Sequence, residues 1–147
     1  MLRHTFVAFA IFAAGISVAA AETPVERAGY LVNAVMACDG CHTPRGPQGF
    51  DMSKRFSGGS QVWDEAAYTV RGSNITPDRD TGIDGWTEEQ IADYLESGNR
   101  PDGDVAGGLM AEVIQGSSAG YKDLTKADRL AIAKYLKSIP AVKNKID

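Results

Sequence analysis

The sequence predicts an all-helical domain, and three observations carry that prediction. Three segments open with a Thr followed three residues later by Glu, Gln or Asp, at Thr23, Thr87 and Thr125, and each continues with apolar residues spaced by three and four. The stretches between them are rich in Gly and Pro and show little periodicity. Finally, Cys38-Asp39-Gly40-Cys41-His42 follows directly on the first helical segment, with no strand-rich sequence around it.

Ahead of these elements the chain opens on Arg3 and an uncharged run from Thr5 to Ala21, ending in Ala19-Ala20-Ala21. That is the form of a secretory signal peptide, and the run is short for a membrane span. Cleavage is expected before Glu22, with an uncleaved anchor as the weaker alternative. Residues 1–21 are then signal, residues 22–147 one domain, and no stable membrane insertion follows cleavage. An exported chain belongs outside the cytoplasm, here the periplasm. The removed segment holds one basic residue and no acid, so 14 Lys and Arg face 19 Asp and Glu, a formal charge of −5 against −4 for the whole chain. A negative chain is a poor partner for nucleic acid or anionic membranes.

The first helix begins at Thr23, boxed by Glu26, with Pro24 at its first position. Val25, Ala28, Val32 and Val35 form its stripe, and it is expected to run into the cysteine motif. Gly29 inside it costs about 1 kcal/mol relative to Ala, which suggests close approach by another element.

C-x-x-C-H is the attachment sequence of c-type haem. On a helix, Cys38, Cys41 and His42 project from one face. Two thiols can then bond the porphyrin's vinyl groups while the imidazole reaches the iron. A redox dithiol, a disulfide and half a zinc site are the competing readings of the two cysteines. Zinc is the weakest, because the chain has no further cysteine. His4 leaves with the signal, so His42 is the only imidazole of the mature chain.

After the motif, Thr43 to Gly49 reads as a loop, with the Pro44 carbonyl as a plausible acceptor for the second ring nitrogen of His42. The region from Asp51 to Asp80 reads as a long loop wrapping a large apolar cofactor. The second helix starts at Thr87, boxed by Gln90, buries Ile91, Tyr94 and Leu95, and stops at Gly98. Trp86 before it either staples onto that helix or walls a haem pocket, the latter slightly preferred.

The last helix runs from Thr125 to Ile139 ahead of Pro140, with Ile132, Tyr135, Leu136 and Ile139 on one face and Tyr135 at its crossing with Gly29. Residues 141–147 read as a solvated tail. For the far side of the iron, Met36 is on the same helix as Cys38 and Met52 follows His42 too closely. Met110, approached through Gly107-Gly108, is favoured as the distal ligand.

CDGCHTPRG (38–46), RFSGG (55–59), SNITPDRDTGIDGWTEEQI (73–91) and LTKADRLAIAKYLKSIP (124–140) together make the mature chain resemble the monohaem c-type cytochromes. The resemblance is narrower still to the cytochrome c domains in haem subunits of membrane-bound alcohol and aldehyde dehydrogenases. It implies the cytochrome c fold, with N- and C-terminal helices crossing and loops wrapped round one covalent haem c. It also implies Met110 as the distal iron ligand, matching the family's post-helical Met, and places Asn74 and Thr76 against the haem. Two departures stand out: Ala111 occupies the position after the ligand Met where the family commonly has Pro, and the dehydrogenase subunits carry three such domains and an anchoring tail.

The function expected is periplasmic electron transfer, not catalysis, with single electrons carried from a dehydrogenase to an acceptor such as an oxidase. The alternatives are a haem subunit held permanently in a dehydrogenase complex, and a gas-binding or peroxidase-like protein with an open distal site.

Overall fold

The structure, a computed structural model, describes residues 21–146. The expected signal segment, apart from Ala21, lies outside them, as does Asp147. Helix α1 (Pro24–Tyr30) starts as its sequence dictates: Thr23 Oγ1 accepts from Glu26 N at 3.3 Å, while the Glu26 carboxylate accepts from Thr23 N at 2.9 Å. It passes straight into a π-helical turn, Leu31–Val35, closed by Met36 N donating to Leu31 O at 2.7 Å. The wider turn changes the phase of the stripe. Ala28, Leu31 and Val32 are buried, whereas Val35 and the first-turn Val25 are exposed, a correction to the expected stripe.

The helix also does not continue into the cysteine motif. Ala37 takes a left-handed backbone (φ 49°) that ends it, and the motif begins again as its own turn, α2 (Asp39–His42).

Helix α3 (Glu88–Ser97) carries the reciprocal Thr87–Gln90 box and ends at Gly98, whose φ of 79° suits a residue without Cβ. Helix α4 (Gly108–Gln115) follows, and α5 (Lys126–Ser138) closes the fold. Thr125 caps α5 by accepting from Asp128 N, but the Asp128 carboxylate turns to Arg27 at 3.0 Å, so only half of that box forms. The core joins α1 and the π-helical turn to α3 and α5 through Ala28, Leu31, Val32, Ile91, Leu95, Ala131, Ile132, Ala133 and Leu136, with Phe56 contributed by a loop. At the crossing of α1 and α5 the ring of Tyr135 faces Gly29, as expected, but at 3.7 Å from where a Cβ would sit, ordinary contact, so the crossing is not the close approach that the glycine suggested.

The chain is mostly helical rather than all-α, because both expected loops contain antiparallel hairpins. Strands β1 (Arg45–Gly46) and β2 (Gly49–Phe50) pair across Pro47-Gln48, and Gly49 supplies a φ of 110°. Strands β3 (Val62–Glu65) and β4 (Tyr68–Arg71) pair from Val62↔Arg71 to Glu65↔Tyr68. Val62, Trp63, Tyr68, Thr69 and Val70 are the β-branched and aromatic residues that favour such a ribbon.

The tail is not solvated. Val142 N donates to Thr76 Oγ1 at 3.1 Å, Asn144 N to Thr81 Oγ1 at 3.1 Å, and Asn144 Nδ2 to Ser57 O at 3.0 Å. Val142, Asn144 and Ile146 alternate inward in the manner of an extended strand. Among the described residues no helix is long and apolar enough to cross a membrane.

Candidate functional site

The turn α2 does what its spacing requires. His42 N and Cys41 N both donate to Cys38 O, at 2.9 and 3.3 Å, so Cys38, Cys41 and His42 share one helical turn. A shell drawn largely from RFSGG holds that turn. Asp39 accepts from Arg55 and from Thr43 Oγ1 at 2.7 Å, and Arg55 also donates to Asn33 at 2.9 Å. Thr43 Oγ1 in turn accepts from Phe56 N at 3.0 Å, and Gly58 N donates to His42 O at 2.8 Å. Phe56 is fully buried at a φ of 61°, an unusual conformation for a large side chain, fixed from both sides by Thr43 and by Ile75 N.

His42 Nδ1 lies 2.7 Å from Ser73 O. This corrects the expected partner, because the Pro44 carbonyl instead accepts from Asp51 N at 2.8 Å. A carbonyl only accepts, so Nδ1 carries the proton and Nε2 presents its lone pair. Burial pushes the imidazole below its ordinary range despite the opposing Ser73 bond, which keeps it in the neutral, metal-binding form.

Burial likewise pushes the Cys38 thiol up to about 12 and raises that of Cys41. Both thiols are free. This is the opposite of the environment that activates a redox dithiol or prepares a thiolate for zinc. Among the described residues no group of three or more His, Cys, Asp or Glu side chains could hold a metal ion.

Met110 lies in the first turn of α4, half-buried, and packs on the same core as Cys38; so does Met36, which the break at Ala37 separates from the motif turn, a correction to the expectation that it shares a helix with Cys38. Met52 is 57 % exposed. Ile75, Ile83, Trp86 and Tyr121 complete a set of half-buried apolar side chains on that core. Two free thiols and an Nε2 lone pair on one helical turn, beside half-buried apolar side chains, are a donor set that suits one flat apolar group bonded at Cys38 and Cys41. The residues fit a covalently held haem.

Asn74 and Thr76 are buried, and their polar atoms are used within the protein. Asn74 Oδ1 accepts from Thr76 N and Oγ1 at 2.9 and 2.7 Å, and its Nδ2 donates to Thr81 Oγ1 and Val142 O at 2.9 and 2.8 Å. They brace the segment that delivers the Ser73 carbonyl. Trp86 meets Tyr94 of α3 edge-on at 5.4 Å, a staple-like contact, while also packing on the core.

Sequence reasoning missed Ser73, Gly72, Gly59 and Tyr121. The Tyr121 hydroxyl donates to Met36 O at 3.2 Å, two residues before Cys38, and burial raises its pKa. Gly59 and Gly72 lie so close to the motif that a Cβ on either would sit 2.1 or 1.8 Å from Cys41 O. Paired glycines flanking the β3–β4 hairpin were the available signal.

No established family model matches the chain. Curated relatives do. The chain is 43 % identical over 118 residues to a diheme cytochrome c-type protein of Cereibacter sphaeroides, covering 80 % of this chain and 36 % of that one. It is 35 % identical over 138 residues to the cytochrome c subunit of a quinone-dependent alcohol dehydrogenase of Gluconobacter oxydans, covering 87 % and 26 %. It is 33 % identical over 127 residues to the gluconate 2-dehydrogenase cytochrome c subunit of Pantoea cypripedii, covering 84 % and 28 %. The chain thus spans about a quarter to a third of the length of these relatives, and it resembles cytochrome c subunits of dehydrogenases.

Proposed function

We propose that this chain is a periplasmic electron-transfer module holding one haem c, bonded at Cys38 and Cys41 and ligated by His42 and Met110. The observation that carries the reading is the His42–Ser73 hydrogen bond on a turn that also presents both thiols. The haem, when bound, supplies an iron that exchanges one electron between ferric and ferrous states. The protein's own residues do the rest. Cys38 and Cys41 fix the group, while Ser73 sets the ring orientation and basicity of His42. Met110 favours the reduced state as a soft ligand, and the apolar side chains around it exclude water. With His42 and Met110 both holding the iron no substrate would reach it, so the module would carry electrons and leave substrate chemistry to a partner.

The relatives' names support a dehydrogenase as electron donor; the acceptor in this reading is an oxidase or another carrier. They equally favour a second reading, in which the module is a resident haem subunit of a dehydrogenase complex. Affinity purification from its native membrane and periplasmic fractions separates the two: a free carrier elutes alone, a subunit with a catalytic partner.

The primary test is expression with haem-attachment machinery. Denatured protein whose mass exceeds the processed chain by one haem, and whose folded ferrous spectrum carbon monoxide leaves unchanged, is the expected result. Absence of attached haem, or prompt carbon monoxide binding, would contradict it and, in the latter case, favour gas or peroxide chemistry.

A further inference from the structure

The β3–β4 hairpin touches both halves of the site. At its base, Gly59 N donates to Gly72 O at 2.9 Å, and both glycines press on Cys41 O. The next residue, Ser73, receives His42 Nδ1. On its flank, Tyr68 and Val70 lie against Gly108: a Cβ there would sit 2.8 Å from Val70 Cγ1 and 2.9 Å from Tyr68 Cδ2, and Gly108 itself has a φ of 53°. The Tyr68 hydroxyl donates to Glu112 Oε1 at 3.0 Å. Gly108 and Glu112 stand two residues either side of Met110.

We infer that this hairpin is a tie bar between the two axial ligands, and that Tyr68 is a positioning residue that sets how firmly Met110 holds the iron. The inference rests on the reading of Met110 as distal ligand. Ala111 follows Met110 directly. A Pro at that position would stiffen the segment by fixing its φ; with Ala111 the restraint comes from outside, through the Tyr68 ring on Gly108 and its hydroxyl on Glu112. A thioether is a soft ligand, weakest towards the harder ferric iron, so any slack in its segment shows first in the oxidised protein. The other end of the hairpin is anchored on Cys41 and, through Ser73, on His42. Slack therefore opens at the Met110 end.

The test is titration of the ferric, haem-loaded protein with imidazole, which competes with Met110 for the iron. Tyr68→Phe removes only the hydroxyl, and its exposed hydrogen bond is worth roughly twofold to threefold in apparent imidazole affinity. Tyr68→Ala also removes the ring and should raise affinity more than tenfold. Glu112→Gln keeps an acceptor and should fall between wild type and Tyr68→Phe. In a Met110→Ala background Tyr68→Phe should change nothing further, because its effect acts through Met110. Unchanged imidazole affinity in both Tyr68 variants, alongside a Met110→Ala protein that binds imidazole readily, would overturn the tie bar alone. A Met110→Ala protein with unaltered spectrum and imidazole affinity would instead overturn the ligand assignment beneath it.

Discussion

His42 Nδ1 and the carbonyl oxygen of Ser73 meet at 2.7 Å although they lie 31 residues apart in sequence. The contact exists because Gly72, next to Ser73, has no Cβ and can press against Cys41 O. Gly72→Ala drives a methyl group into that carbonyl, and backbone must move to admit it. Overpacking of this kind costs about 1–3 kcal/mol, occasionally more. Denaturant titration of the haem-loaded variant should show a loss of about 1–3 kcal/mol, together with a changed His42 Nδ1–H resonance. Wild-type values for both would refute the packing described.

Gly29 is a different case. A Cβ there would sit 3.7 Å from Tyr135, ordinary contact, and its backbone is helical. The crossing of α1 and α5 therefore has room for a methyl group. Gly29→Ala should stabilise the folded protein by about 0.5–1 kcal/mol through helix propensity, read as a higher denaturation midpoint. A lower midpoint would mean the helices cross more tightly than they do here.

Arg27 and Asp128 join the first and last helices at 3.0 Å. The hydrogen bond from Arg27 holds the Asp128 carboxyl below its ordinary range, with burial opposing. The native state then binds fewer protons than the unfolded one near and below the unfolded pKa of about 4. The stabilisation is present above that pH and is lost as the pH falls through the lowered native value. The pair is partly solvated, so less than about 1 kcal/mol is at stake. Asp128→Asn should cost that much at pH 7 and flatten the acid limb of the stability profile below pH 4; an unchanged limb would show that the pair contributes nothing.

Asn74 connects the Ser73 segment to the tail through Thr76, Thr81 and Val142. Asn74→Ala leaves buried donors and acceptors without partners, at about 2 kcal/mol. It should also speed amide hydrogen exchange at Val142, whose N–H is held by Thr76. Unaltered exchange there would separate the tail from this network.

Much of this architecture was legible in residues whose signal is local. The three Thr caps, Pro24, Gly98 and the Gly29–Tyr135 crossing lie where the sequence placed them, because capping and periodicity depend on neighbours a few residues away. The motif turn was legible for the same reason. What escaped depended on distant partners. The acceptor for His42 is a backbone carbonyl, which any residue could supply, and tertiary packing chose Ser73 over Pro44. The π turn that rotates Val35 outward and the left-handed Ala37 have no composition of their own. The tail's alternation of Val142, Asn144 and Ile146 is too short to stand out until Asn74 and Thr76 are seen across from it. The β3–β4 ribbon was readable from Val62, Trp63, Tyr68, Thr69 and Val70, but its turn, Ala66-Ala67, lacks the Gly or Asn that marks a tight hairpin.

The central claim, axial ligation by His42 and Met110, is tested most directly by proton NMR of the reduced, haem-loaded protein grown with methyl-labelled methionine. A methyl group over a porphyrin is shifted far upfield by the ring current. One such signal, present in wild type and in Met36→Leu and Met52→Leu variants and lost only in Met110→Ala, is the predicted result. No upfield methyl in wild type, or one that survives Met110→Ala, would contradict the assignment.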